Sequence, residues 1–332
     1  MEYEDGAAET IVTDDSWKAR KSPVLYSDIY NGEIVDMSSP LEGEYGVSEV
    51  SLGYDKLKAR LNPAILVHER LKPVQVIHTP AGETVLDMGQ NMVGWVEFRV
   101  TAPAGTRIRL QHGEILQDDC FYVENLRTAK QEFIYTCHEG ENYARAHFTF
   151  YGFRYVLVEG WPGEVRGEDF TGCVIHSDMK ETGHIETSNP LVNRLFENTR
   201  WGQKGNFLDT PTDCPQRDER MGWTGDAQIF CGTASYNMDT YAFYAKFGYD
   251  LYQEQKKLGG NVPYVVPMAG YDGDGSCAWG EAATVIPWEV YLHFGDPRIL
   301  EDQYESMKGW VEYMYRADEE SGSSRLWKVG CH

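Results

Sequence analysis

Apolar and polar side chains alternate through the middle of the first half of the chain. In Gly94-Trp-Val96-Glu-Phe98-Arg-Val100 the residues Val96, Phe98 and Val100 fall on one side of an extended chain, with Glu97 and Arg99 on the other, which predicts a half-buried strand. Thr106-Arg-Ile108-Arg-Leu110-Gln resumes the alternation after a turn at Ala104-Gly105. Further strands are predicted at 74–79, 132–137 and 154–159. Strands at this spacing, punctuated by Gly and Pro, predict an antiparallel β-sandwich over 67–176. Near Ser188 the period lengthens. Asn189 is placed to cap a helix with Pro190 at its first position, and Leu191, Val192, Leu195, Phe196 and Thr199 follow at helical spacing. A second capped helix opens at Asp296-Pro297, where Leu300, Tyr304, Met307, Val311 and Met314 form a stripe. With helices near 226–236, 238–258 and 280–294, and a turn from Asp318, residues 188–332 are predicted to be all-α and 177–187 a linker. Residues 1–66 show no period: Trp17, Tyr26, Tyr30 and Tyr45 stand among turn signals such as Asn31-Gly32 and Ser39-Pro40. They read as the remnant of an upstream β-rich domain followed by a packed linker.

Composition narrows the function. A chain of 332 residues is long enough for two domains and a large core. Its formal charge of −22 argues against a nucleic-acid partner and against an anionic membrane surface, and is compatible with a neutral substrate such as a sugar. The 21 Tyr and 9 Trp serve mostly in packing, but their flat faces and polar edges also suit sugar rings. Seven Cys form no C-x-x-C pair and their number is odd, which favours reduced thiols and a cytoplasmic location. No run reaches the ~18 apolar residues of a membrane span, and Met1 is followed by Glu-Tyr-Glu-Asp rather than by a secretory signal pattern. Neither a metal nor a cofactor is expected.

The densest chemistry lies in Asp209-Thr-Pro-Thr-Asp213-Cys-Pro-Gln-Arg217-Asp218-Glu219-Arg220-Met-Gly-Trp223-Thr-Gly-Asp226. Its prolines and glycines predict an irregular loop. A solvated acidic loop stapled by local Arg–carboxylate pairs would account for the charges alone, and an Asp218–Arg220 pair is expected on that ground. Cys214, Met221 and Trp223 are less easily explained so. They suggest a loop packed against a pocket wall, where unequal desolvation and unequal neighbours separate carboxyls into an acid and a base.

This stretch resembles the signature of the bacterial α-L-rhamnosidases, inverting glycoside hydrolases with a six-hairpin α/α barrel. The resemblance extends, in family order, to Trp17-Lys with Ser27-Asp-Ile-Tyr-Asn-Gly-Glu33, Asp87-Met-Gly-Gln-Asn-Met-Val-Gly-Trp95, His112-Gly-Glu-Ile-Leu, Phe148-Thr-Phe-Tyr-Gly-Phe-Arg-Tyr155 and Ala278-Trp-Gly-Glu-Ala282. It implies a concanavalin-like β-sandwich followed by the first part of an (α/α)6 barrel, and hydrolysis of terminal α-L-rhamnosyl residues. It implies Glu219 as general acid, Asp213 and Asp226 as ligands of rhamnose hydroxyls, Trp223 as an aromatic wall, and Arg217 and Trp279 as further substrate contacts. Glu219 is then expected to be kept protonated by burial against Trp223 and by repulsion from Asp213 and Asp226. Two departures stand out. Trp279-Gly280-Glu281 replaces the family's usual Trp-Gly-Asp, and the family's general base belongs to a later part of the barrel. A chain truncated at both ends and inactive by itself is therefore expected. Two competing readings are a non-catalytic carbohydrate-binding protein and an α/α-barrel glycosidase for another sugar.

Overall fold

The computed structural model describes residues 2–39, 43–268, 270 and 276–322. Among these, one ten-stranded sheet dominates the first half. Its path runs through Val24–Asp28, Gly32–Asp36, Glu132–Thr136, Arg107–Gly113, Tyr151–Glu159, Thr84–Ala102, Phe170–Ser177 and Ile65–Leu71, with Gln75–His78 and Gly140–Ala144 also paired to Thr84–Ala102. That 19-residue strand is the hub. Its start pairs with Gln75–His78, its middle with Tyr151–Glu159, and its end with Phe170–Ser177 and Gly140–Ala144. Gly94, at φ 150°, allows the crossing, because a Cβ there would collide with the Cys173 carbonyl. The sheet curls around a core in which Phe98 meets Tyr135 at 5.8 Å, Trp161 at 5.6 Å and Phe170 at 6.2 Å between ring centroids.

The alternation predicted for Val96, Phe98 and Val100 holds, since all three are buried. Glu97 departs from it. The opposite face of the strand is covered there, and Glu97 is buried with Arg70 Nη1 at 2.5 Å. One pairing also departs from the antiparallel expectation: Gly32–Asp36 runs parallel to Glu132–Thr136, so part of the N-terminal segment belongs to this sheet.

The second half is helical: α1 Pro190–Asn206, α2 Thr224–Asn237, α3 Tyr241–Lys257, α4 Ala282–Phe294 and α5 Arg298–Glu320. Asn189 caps α1 as predicted, its Oδ1 accepting from the Leu191 N–H at 2.9 Å. At α5 the Arg298 N–H donates to Asp296 Oδ1 at 3.0 Å, and Pro297 occupies the cap position, one residue before the helix. The helix continues to Glu320, through part of the turn expected from Asp318, while 323–332 lie outside the described residues. Phe207 stacks on Phe243 at 4.6 Å and meets Tyr244 edge-on, tying α3 to the chain after α1.

Two predicted stripes are not the buried ones. On α5 the buried face is Ile299, Gln303, Ser306 and Trp310, rotated by one residue from the predicted Leu300, Tyr304, Met307, Val311 and Met314. Polar residues occupy that face because they are paired: Ser306 Oγ donates to Gln255 Oε1 at 2.7 Å, and Gln255 Nε2 donates to the Ser306 carbonyl at 3.0 Å. On α1 the stripe is largely open, with Leu191 78% and Leu195 66% exposed. That helix instead buries Gln203, Lys204 and Gly205 near its C-terminus.

Candidate active site

The signature segment begins where the short strands Phe207–Leu208 and Thr210–Pro211 turn back at Asp209, at φ 66°. Asp209 is a staple. It accepts from Asn62 Nδ2 at 2.7 Å and lies 3.0 Å from Lys246 Nζ. Burial acts to raise its carboxyl, but the Asn62 hydrogen bond and the Lys246 ammonium outweigh burial and hold it below its ordinary value. The loop then closes on itself, as the Asp213 N–H donates to the Met221 carbonyl at 3.1 Å and the Met221 N–H donates to Asp213 Oδ1 at 2.9 Å.

The expected Asp218–Arg220 pair does not form. The loop sends these two residues to different partners, most of them in the sandwich half. Asp218 accepts the Thr128 hydroxyl and lies 3.8 Å from Arg127, and the Thr128 bond is the first cause of its lowered pKa. Arg220, at φ 53°, turns inward and donates to the Phe150 carbonyl at 2.9 Å and to Gln131 Oε1 at 3.2 Å. Its guanidinium also lies 5.1 Å from the Phe150 ring centre and 5.7 Å from that of Tyr30. Burial pushes it down to about 10, still charged at neutral pH.

Glu219 stands between these anchors. Its Oε1 accepts the Trp223 indole N–H at 3.1 Å, while Oε2 lies 2.8 Å from Arg127 Nη2 and 3.1 Å from Arg217 Nη2. The Tyr30 hydroxyl donates to its backbone carbonyl at 2.8 Å. Arg217 is also 3.7 Å from Asp213 Oδ2, an oxygen with no hydrogen-bond partner among the described residues. Donor atoms of Asp213, Cys214 and Glu219 lie within 4.8 Å of one another. The grouping is ill suited to a metal: two guanidiniums already supply the positive charge, and burial pushes the Cys214 thiol up to about 11, away from a thiolate ligand.

Asp226 opens α2 and is exposed, yet the concave surroundings still desolvate its carboxyl and raise it, with the nearby charges of Asp213 and Glu219 adding to the rise. Trp223, Tyr264 and Trp279 form a row, with centroids 6.5 Å and 6.1 Å apart. The Trp279 ring lies over Gly225, where a Cβ would come 2.7 Å from its Nε1. Asp213, Asp226 and Trp279 line a cleft of about 680 Å³. Glu219 and Arg217 adjoin it through Asp213, and Trp223 through Tyr264 and Trp279, rather than lining it. Glu281 sits at the start of α4 with the Cys277 thiol 3.8 Å from its Oε1.

The six residues singled out in the sequence thus fall in one neighbourhood. Sequence reasoning missed Tyr30, Arg127, Thr128 and Gln131, which reach the loop from 89 to 189 positions away. The run Asn125-Leu126-Arg127-Thr128 carries no period or spacing that would have marked it.

A curled sandwich is joined to helical hairpins, with carboxylates and aromatics gathered on the loop before α2, and the family models match this order of domains. Residues 1–78 match the alpha-L-rhamnosidase N-terminal domain, 77–176 the bacterial alpha-L-rhamnosidase concanavalin-like domain, and 180–330 the bacterial alpha-L-rhamnosidase six-hairpin glycosidase domain. The chain belongs to the bacterial α-L-rhamnosidase family. It is 37% identical to a Streptomyces avermitilis alpha-L-rhamnosidase over 95% of this chain and 32% of the relative. That enzyme's structure, solved in complex with L-rhamnose, superposes with a TM-score of 0.87. The Aspergillus terreus α-L-rhamnosidase structure is 38% identical with a TM-score of 0.87, over 93% of this chain and 37% of that one. The chain spans about a third of the length of the curated relatives it matches.

Proposed function

We propose that the whole protein hydrolyses terminal non-reducing α-L-rhamnosyl residues with inversion, and that Glu219 is its general acid. The observation that carries this reading is the convergence of Asp213, Arg217, Glu219, Trp223 and Asp226 beside an aromatic-lined cleft. In this reading Glu219 delivers its proton to the glycosidic oxygen as the bond from C1 to that oxygen breaks, and a water attacks C1 from the opposite face. Asp213 and Asp226 accept hydrogen bonds from hydroxyls of the sugar, Asp213 Oδ2 having no hydrogen-bond partner among the described residues. Trp223 and Trp279 wall the ring, and Arg217 holds Asp213 and Glu219 in register.

Asp213 is not the base of this reaction. Its donor oxygen lies within 4.8 Å of Glu219, closer than the ~6.5–9.5 Å that leaves room for a water in inverting enzymes, and its Oδ1 is engaged by Met221. The test is Glu219→Gln in the full-length protein. Turnover of an alkyl rhamnoside, a poor leaving group, falls by roughly 10²–10⁴, while an activated aryl rhamnoside is much less affected. Small and equal losses on both substrates would remove Glu219 from the acid role.

A further inference from the structure

We propose that Arg127, supplied by the concanavalin-like domain, is a positioning residue for the Glu219 carboxyl, so that this domain completes the seat of the acid. The inference rests on the reading of Glu219 as general acid. Charge-assisted bonds of this kind are short and directional. Arg127 makes one at 2.8 Å, the shorter of the two guanidinium contacts to Oε2. Two cations at Oε2 and a neutral indole N–H at Oε1 make the two oxygens unequal. A proton on Glu219 therefore belongs on Oε1, away from both guanidiniums, and that fixes the edge from which it can be delivered.

The support behind Arg127 is built rather than accidental. The residue follows the 3₁₀ turn Glu124–Leu126 with a left-handed backbone, φ 57°, between buried Leu126 and Ala129. A non-glycine residue at positive φ is uncommon and needs surroundings that impose it. The same segment binds both flanks of the acid: Thr128 holds Asp218, and Gln131 accepts from Arg220. Arg127 thus acts from a rigid frame on a carboxyl whose backbone is already clamped. Its side chain is about half exposed, 49%, so shortening it leaves no buried void.

The experiment uses the full-length protein with Arg127→Ala, Arg127→Lys and Glu219→Gln, each assayed on an alkyl rhamnoside and on a nitrophenyl rhamnoside. A misplacement of about 1 Å costs on the order of 10²-fold. Arg127→Ala is accordingly expected to lower kcat on the alkyl substrate by about 10–10²-fold, with little change on the nitrophenyl substrate and little change in Tm. Arg127→Lys recovers part of the loss. Equal losses on both substrates, a fall in Tm matching the loss of activity, or a lysine variant no better than alanine would each overturn the inference. If Glu219→Gln shows the leaving-group split and Arg127→Ala does not, only the positioning role fails. If Glu219→Gln shows no split, the acid assignment fails and the role of Arg127 falls with it.

Discussion

Gly152 lies directly beneath the signature loop that carries Glu219, and replacing it with alanine tests whether the loop's height above the sandwich matters to turnover. A Cβ at this position comes 2.9 Å from Pro215 Cγ, 3.0 Å from Gln216 Cβ and 3.2 Å from the Pro215 carbonyl carbon. Optimal carbon contacts are about 3.5–4.0 Å, so the loop must give way by roughly 0.5–1 Å. It has little room to do so: Pro215 is a rigid ring, Cys214 is buried and Arg220 is anchored to Phe150 and Gln131. Overpacking of this kind costs about 1–3 kcal/mol, of which about 0.5–1 kcal/mol is returned by alanine's smaller entropy loss within a strand. The net loss of stability is expected to be about 0–2.5 kcal/mol. Displacement of Glu219 by even half an ångström is expected to lower kcat by about 10-fold or more. Thermal unfolding and alkyl-rhamnoside turnover of Gly152→Ala in the full-length protein measure the two effects separately. Adding Pro215→Ala removes the ring carbon at 2.9 Å and restores part of the rate. Wild-type kcat on the alkyl rhamnoside in Gly152→Ala would refute the reasoning, because it would mean that the position of Glu219 does not depend on the surface the loop rests on.

Further expectations concern pH and packing. Asp226 has a raised carboxyl in the folded state, so its ionisation disfavours folding: the stability it contributes is present below the unfolded value near 3.9 and is lost as pH rises through the folded one. Asp226→Asn is therefore expected to raise Tm by about 1–3 °C at pH 7, an effect kept small by the residue's exposure, and to leave it unchanged near pH 3. A lower Tm at pH 7 would contradict this. In Gly280→Ala the new methyl overlaps the buried Trp310 indole, and denaturant unfolding is expected to show a loss of about 2–3 kcal/mol. In a Trp310→Leu background the same substitution should cost far less. Additive losses would place the strain elsewhere.

The acidic loop was legible because its chemistry is contiguous: carboxylates, arginines, prolines and a tryptophan within eighteen consecutive positions mark a site before any fold is known. The alternation of Val96, Phe98 and Val100 was legible for a similar reason, since period two depends only on neighbouring residues. Where a distant element decides the outcome, the pattern misled. Glu97 is inside because Arg70 covers it, and α5 is turned by one residue because Gln255 satisfies Ser306. Arg127 is the clearest case, an unremarkable basic residue in its own segment that meets Glu219 only after the chain has folded across 92 positions. The Asp218–Arg220 pairing failed for the same reason, as each residue found a better partner on the sandwich.

The bonds from Arg220 to Phe150 and from Asp218 to Thr128 also set an order of assembly. Their sandwich partners are translated 70 and 90 residues before them, and Tyr30 precedes Glu219 by 189. The last strand of the sheet ends at Ser177, 42 residues before Glu219, so at ribosomal speeds of about 5–20 residues per second the finished sandwich leads the loop by roughly 2–8 s. The loop, with its prolines, glycines and left-handed arginine, has no regular structure of its own to nucleate. It is cast late, against a mould already set.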